Sequence, residues 1–330
     1  MPPSPEEKTL VKSPQTIIGA AHLRKSYGSR LAVDDVSFEV KAGEVVGLLG
    51  PNGAGKTTTL SILATLIDPD AGQVQIAGID SRVAPYTLRR KLGFVPQSIA
   101  LYPSLSAYQN LETLARIHGL TRRESENRSL EALESVGLRD RADDPVFTLS
   151  GGMKRRLNLA CGLVHRPAAL LLDEPTVGVD PQSREGIFST IRTAADSGVA
   201  ILYSTHYMEE VERMCDRALL IDEGKVLADG TIAQLIELGG HHPRMEMVFK
   251  KSPLMGWYED IQGVVELAPT DDEAKLVLEL TSLRQVSEVL EHAHSAHGQL
   301  LEFAVHSPNL SDAFITLTGH GLRDTTTQDQ

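Results

Sequence analysis

Residues 44–58 read EVVGLLGPNGAGKTT, and the fold turns on how this stretch divides. EVVGLLG is an unbroken apolar run ending in glycine, the pattern of a strand buried on both faces. Gly50, Gly53 and Gly55 then free the backbone to aim its N–H groups inward as an anion nest. TTTLSILATLI, which follows, has helical character. The nest therefore opens a helix whose start carries roughly half a positive charge. Lys56 can reach the β- and γ-phosphates of a nucleotide, Asn52 and Thr58 belong to the same cradle, and the Thr57 hydroxyl can take a place on Mg2+. The spacing Gly-x-x-x-x-Gly-Lys-Thr arises by chance in a chain this long about once in a hundred times. GTPases, kinases and many ATPases share it, so it specifies phosphate binding and no particular task.

Two further motifs narrow the chemistry. ALLLDEP (169–175) ends a second buried run on Asp173 and Glu174, at the carboxyl end of a strand, where α/β sheets bind ligands. There Asp173 can hold Mg2+ through its water shell, while Glu174 can orient and polarise an attacking water. A helix N-cap around Asp-Glu-Pro competes as a reading, but the upstream phosphate loop makes it the minor one. LSGGM (149–153), followed by KRRLNLA, reads as a Ser150 cap with Gly151 and Gly152 opening a helix, a second exposed anion site. The nucleotide already has one phosphate-binding helix start, so a second needs its own phosphate. An identical second chain can supply it.

The rest of the pattern supports an α/β chain. TIIGAAHL and VDDVSFEV alternate apolar and polar residues like half-buried antiparallel strands, and QVQIAGID and LGFVPQ read as further short strands. Residues 104–147 carry helical periodicity with charged outer faces, which predicts a helical subdomain over about 98–150. Beyond it come helix RRLNLACGLVHR, the ALLLD strand, helix REGIFSTIRTAADSG, strand VAILYSTH, helix MEEVERMC and hairpin RALLIDEGKVLADG. Strands alternating with helices imply a largely parallel sheet. GGHHP (239–243) reads as a linker, closing a first domain over 16–240. Domain 241–318 is expected to hold strand MEMVF, a short helix near LMGWYEDI, strands VVELA and AKLVLEL, helix SLRQVSEVLEHAH, strand LLEFAVH and helix SDAFITLTG. That order suggests a small α+β, ferredoxin-like domain. Residues 1–15 and 319–330 are expected to be a disordered lead-in and tail.

Composition sets limits on partners. The net charge is −12, and residues 241–330 alone hold 6 Lys/Arg against 14 Asp/Glu, an imbalance that repels phosphate backbones and anionic lipid heads. Direct nucleic-acid binding is therefore disfavoured. No apolar run approaches the roughly 20 residues of a membrane helix, and the polar, proline-rich MPPSPEEKTLVKSPQ is unlike a signal peptide. The two cysteines, Cys161 and Cys215, lack metal-ligand spacing and read as buried small hydrophobes of a cytosolic protein.

Taken together, the ordered motifs resemble the ATP-binding cassette of ABC transporters over about residues 16–235. The resemblance implies a P-loop NTPase core with an antiparallel β subdomain and a helical subdomain, and ATP and Mg2+ as ligands. In that family two cassettes close head to tail, so each ATP lies between one chain's phosphate loop and the other's signature motif. Carried over, Tyr27 resembles the aromatic that stacks on adenine, and Gln97 the glutamine linking Mg2+ and water to the transmembrane partner. Ser150, Gly151 and Gly152 match the signature contact to the opposite γ-phosphate, Asp180 the D-loop and His206 the switch histidine. Catalytic roles thus fall to Lys56, Gln97, Glu174 and His206, and metal contacts to Thr57, Gln97 and Asp173. Two departures stand out: Met153 where many cassettes have glutamine, and VGVD (177–180) in place of the commoner SGLD. Both leave the phosphate donors in place.

LSGGMKRRL and the C-terminal HSPNLSDAFITLTGH are similar to a subgroup, the daunorubicin/doxorubicin-resistance type of ATPase that serves type 2 ABC exporters. This implies a homodimeric ATPase at the cytoplasmic face of a separate permease, exporting a drug, antibiotic or lipid-like cargo. The rival is a soluble ABC ATPase acting on ribosomes or DNA, which the single cassette, the short insert and the acidic charge disfavour. A regulatory cassette that binds ATP without splitting it is opposed by Glu174 and His206. Of the remaining candidates, His292, His294 and His297 near a helix end could be metal ligands, but only 294 and 297 share a face, so a solvated helix end is the favoured reading. Lys154, Arg155 and Arg156 read as part of the signature helix, His241-His242 as linker, and Trp257 as a core anchor.

Overall fold

The computed structural model describes residues 15–252, 256–267, 274–295 and 299–319. Among the described residues, contacts divide the chain into two compact units, the first ending at Thr231 and the second beginning at Ile232. Except for Gln15 and Gly319, the expected lead-in and tail lie outside the described residues, as does His297.

In the first unit the elements follow as β1 (Thr16–Tyr27), β2 (Arg30–Lys41), β3 (Val45–Leu49), α1 (Lys56–Leu63), β4 (Ala71–Ile76), β5 (Ile79–Asp80), α2 (Pro85–Arg89) and β6 (Leu92–Val95). Then come α3 (Ala107–Ile117), α4 (Arg122–Ser135), α5 (Gly151–Leu163), β7 (Ala169–Asp173), α6 (Pro181–Asp196), β8 (Ala200–Thr205), α7 (Met208–Met214), β9 (Arg217–Asp222) and β10 (Lys225–Thr231). They form an antiparallel sheet, β2-β1-β4-β5, and a six-stranded sheet, β10-β9-β3-β8-β7-β6, parallel except for the terminal β9–β10 hairpin. The unbroken apolar runs behave as expected: β3, β7 and β8 are buried at every residue. Their carboxyl ends are level, with Leu49 beside Thr205 and Asp173 beside Ser204. The loops that leave them therefore converge on one edge of the sheet, and that edge carries the site. A single core gathers Ile18, Val36 and Ile76 of the antiparallel sheet, Leu60 and Leu63 of α1, and Leu48, Leu171 and Leu202 of the parallel sheet.

The helical layer is larger than the sequence suggests. Besides Leu111 of α3 and Leu133 of α4 its core takes in Leu157, Ala160 and Cys161 of α5, so it extends past the expected end near residue 150. Two capping boxes start this layer, Ser106 with Gln109 on α3 and Thr121 with Glu124 on α4.

The second unit holds α8 (Ile232–Leu238), β11 (Arg244–Phe249), β12 (Val264–Glu266), β13 (Lys275–Leu280), α9 (Gln285–Ser295), β14 (Leu300–His306) and α10 (Leu310–Thr318). Its antiparallel sheet runs β12-β13-β11-β14, the strand order of a ferredoxin-like fold. Three expectations need correcting here. The break follows Thr231 instead of residue 240, so α8 belongs to this unit. GGHHP is not a spacer: a Cβ on Gly239 would lie 2.7 Å from Ala313 Cα, so α8 and α10 meet at that glycine, and His241 Nε2 sits 2.8 Å from Thr316 Oγ1. The described part of LMGWYEDI forms turns instead of a helix, with Trp257 edge-on to Tyr258 and packed against the small core.

Candidate nucleotide-binding site

The loop between β3 and α1 can follow its path only with glycine. Gly55 has φ 101°, and a Cβ there would stand 2.4 Å from the Ala32 carbonyl. This turn delivers Lys56, 5 % exposed, into the loop, where its Nζ donates to the carbonyls of Gly50 (2.7 Å) and Pro51 (3.0 Å). Nζ also lies 3.7 Å from Glu174 Oε1. Burial lowers the Lys56 pKa, opposed by the nearby Glu174 and Asp173 carboxylates.

The end of β7 brings acid to the same place. Asp173 Oδ1 accepts from Ser204 Oγ at 2.7 Å and from Thr57 Oγ1 at 3.4 Å, which joins the strand end to the start of α1. Burial raises the Asp173 pKa, opposed by these two hydroxyl donors. Glu174 turns out of the strand with φ 45°, a left-handed conformation uncommon for a non-glycine residue. Its N–H donates to the Ser204 carbonyl (3.1 Å) and approaches Ser204 Oγ (3.3 Å), and these contacts hold the turn. The carboxylate is gripped from two sides: Gln97 Nε2 donates to Oε2 at 3.0 Å, and His206 Nδ1 lies 3.1 Å from Oε1.

A cleft of about 400 Å3 opens over these groups. Tyr27, half exposed, lines one side, and Asn52, Gly53, Gly55, Lys56, Thr57 and Thr58 line the floor, with Gln97 and Glu174 at the other end. Asp173 and His206 stand behind this lining, touching Thr57 and Glu174. Gly50 contributes its carbonyl to Lys56. Thr57 and Asp173 are hard oxygen donors beside an anion nest, which suits Mg2+.

Ser150, Gly151, Gly152 and Asp180 do not line this cleft. They make a second cluster, in which Ser150 caps α5 by accepting from the Met153 N–H (3.2 Å) and Asp180 caps α6 by accepting from the Ser183 N–H (2.9 Å). A Cβ on Gly152 would meet Ser183 Oγ at 2.3 Å and Asp180 Oδ2 at 2.9 Å, so α5 and α6 start against each other. Met153 turns its side chain toward the helical core instead of the cluster.

Two contributors, Arg30 and Ser204, were not singled out from the sequence, and a third, Arg155, was read only as part of the signature helix. Arg30 lines the cleft and donates to the Gly53 carbonyl. Ser204 fixes Asp173, and Arg155 spans the carbonyls of Gln97 and Val177. Ser204 had a signal, two residues before His206 at the end of a buried strand. Arg155 had only its place in a basic cluster. Among the described residues no group of three or more His, Cys, Asp or Glu could hold a metal, His292 and His294 included.

Known proteins resemble this chain in sequence and in fold. Residues 33–177 match the family model described as ABC transporter. The chain is 40 % identical over 316 residues to the linearmycin resistance ATP-binding protein of Bacillus subtilis (strain 168), covering 93 % of this chain and 100 % of that one. It is 37 % identical over 310 residues to the doxorubicin resistance ATP-binding protein of Mycobacterium tuberculosis (strain CDC 1551 / Oshkosh), covering 90 % and 92 %. Among solved structures it resembles a dimeric, post-hydrolysis ATP-binding cassette bound to ADP and Pi, with a TM-score of 0.60, 28 % identity, and coverage of 65 % of this chain and 98 % of that one.

Proposed function

The chain belongs to the ATP-binding proteins of ABC transporters, in the drug-resistance group, and from that premise we propose that it powers an exporter by closing on a second copy around ATP. It is an ATPase; the coupling to a permease and the closure are the proposal. The observation that carries it is the separation of the two anion-binding helix starts. The phosphate loop, Gln97 and Glu174 share one cleft, whereas Ser150, Gly151 and Gly152 lie outside it. A γ-phosphate bound in the cleft would leave one side for the partner's α5 start, whose orphan N–H groups favour an anion. ATP then acts as the glue of the dimer, and loss of phosphate releases it.

In the reaction, Lys56 exchanges its loop carbonyls for the β- and γ-phosphates, and Tyr27 offers a face for adenine. Thr57 and Asp173 would hold Mg2+, which supplies positive charge against the developing phosphate negative charge. Glu174 orients and polarises a water whose oxygen attacks the γ-phosphorus; the bond to the bridging oxygen breaks, its electron pair leaves with ADP, and the water's proton leaves on the released phosphate. His206 and Gln97 keep the Glu174 carboxylate aimed.

Among the described residues no helix is long and apolar enough to cross a membrane. A separate permease is supported by the exposed side chains of Leu66, Val83, Tyr86, Ile99 and Ile117. Leu66 also lines a groove with Arg89, Ala100, Leu114, His118 and Pro96, the residue before Gln97. The reading adopted is a peripheral subunit at the cytoplasmic face, exporting a drug, antibiotic or lipid-like cargo that the permease selects. Relatives named for resistance to linearmycin and to doxorubicin favour this over a ribosomal or DNA-bound ATPase. ATPase rate measured against enzyme concentration tests it: shared sites require a regime steeper than linear, and strict linearity down to the lowest concentration overturns the dimer.

A further inference from the structure

Behind the cleft lies a buried acid that no step above uses. Glu210 of α7 is 3 % exposed. Its Oε2 accepts from three hydroxyls, Tyr203 at 2.7 Å, Thr176 at 2.9 Å and Thr205 at 3.1 Å. Thr176 is two residues past Glu174, and Thr205 immediately precedes His206. Thr205 Oγ1 in turn accepts the N–H of Tyr207 at 3.0 Å, which fixes the turn on the other side of the histidine. The opposite oxygen, Oε1, lies 3.6 Å from Nε of Arg184, and among the described residues neither atom has a hydrogen-bond partner. Arg184 sits one helical turn from Asp180, its N–H bonded to the Asp180 carbonyl.

We propose that Glu210 is a positioning residue for hydrolysis: it ties the loop bearing Glu174 to the loop bearing His206 and links both to the first turn of α6. This rests on the roles given above to Glu174 and His206. One carboxylate oxygen with diffuse negative charge accepts three O–H groups. A glutamine offers one amide oxygen with two good acceptor directions and turns N–H donors toward Arg184. The Glu174–His206 distance then loses its restraint, although no group in contact with nucleotide has changed.

The test is Glu210→Gln in the full chain, with single-turnover hydrolysis, equilibrium ATP binding and thermal unfolding measured together. Hydrolysis should fall about tenfold or more while the ATP Kd stays within about twofold. Placed on His206→Ala, Glu210→Gln should add less than about a threefold loss, because both changes act through one group. Tyr203→Phe and Thr176→Val, which keep the acid and remove one donor each, give the same non-additivity should the glutamine variant fail to fold. Unchanged hydrolysis in these variants, or losses that multiply on the His206→Ala background, overturns the proposal. Glu174→Gln and His206→Ala serve as separate controls: if they keep full turnover, the failure lies with the roles assigned to those two residues.

Discussion

Glu174 Oε1 and His206 Nδ1 stand 3.1 Å apart although the two residues leave different strands, β7 and β8. Register brings them close: Asp173 lies beside Ser204, and Glu174 follows the first by one residue while His206 follows the second by two. With Gln97 on its other oxygen, Glu174 has a fixed aim before any nucleotide arrives. In the proposed reaction, such preorganisation would place the reorganisation cost in folding instead of in each turnover.

Replacing Glu174 with Gln keeps both flanking contacts within reach but removes the negative charge that polarises water. ATP affinity should stay within about threefold, while kcat falls by about a hundredfold or more. Filter binding of labelled ATP alongside phosphate release checks both; turnover near the wild-type rate would remove Glu174 from the reaction.

Gly55→Ala tests the phosphate loop as a piece of backbone engineering. The new Cβ would stand 2.4 Å from the Ala32 carbonyl in a backbone at φ 101°, so both strain and a clash oppose it. Stability should fall by about 2 kcal/mol or more and ATP binding should be lost. Urea unfolding and a nucleotide titration read these separately, and a variant that binds ATP normally would show that the loop has another route.

The stacked His118 and His165 rings, with centroids 3.7 Å apart, predict an acid sensitivity outside the cleft. Burial pushes His165 down to about 4, helped by His118; burial also lowers His118, with Arg90 adding to the effect. His165 therefore stays neutral in the fold well below the 6.5 near which a histidine titrates once unfolded, and His118 is shifted in the same direction. In that window the unfolded chain binds more protons, so this contribution is full above about pH 6.5 and is lost as pH falls toward 4. The loss should reach about 1–3 kcal/mol. Urea midpoints at pH 7.5 and 5 should separate more for the wild type than for His165→Asn, and equal separation would exclude the pair as the cause.

How much of this was legible beforehand depends on the reach of each signal. EVVGLL and ALLLD announced buried strands, and the glycine spacing between residues 50 and 55 announced the cradle, because burial and backbone geometry are written locally. The helical core was underestimated because the apolar stripe of α5 does not say which layer it faces. GGHHP was misread because a missing side chain has two uses, turning freely and letting another helix approach, and Gly239 serves the second. Arg155 reaches Gln97 across 58 positions of sequence, a distance over which composition carries no information.

The separation of the two clusters yields the sharpest test of shared sites. Lys56→Ala disables the phosphate loop, and Gly152→Asp drives a charged side chain toward Asp180 and Ser183, which a Cβ on Gly152 would already meet within 3 Å. Each variant alone should be inactive. In a mixed dimer one site joins both defects, but the other joins the intact loop of one chain to the intact α5 start of its partner. Random pairing of equal amounts should therefore restore about a quarter of the wild-type rate. Should each chain hold a complete site, mixing would recover nothing, because every copy carries its own lesion. A phosphate-release assay on the two variants, alone and combined, distinguishes these outcomes, and size-exclusion chromatography with ATP confirms that subunits exchange during the measurement.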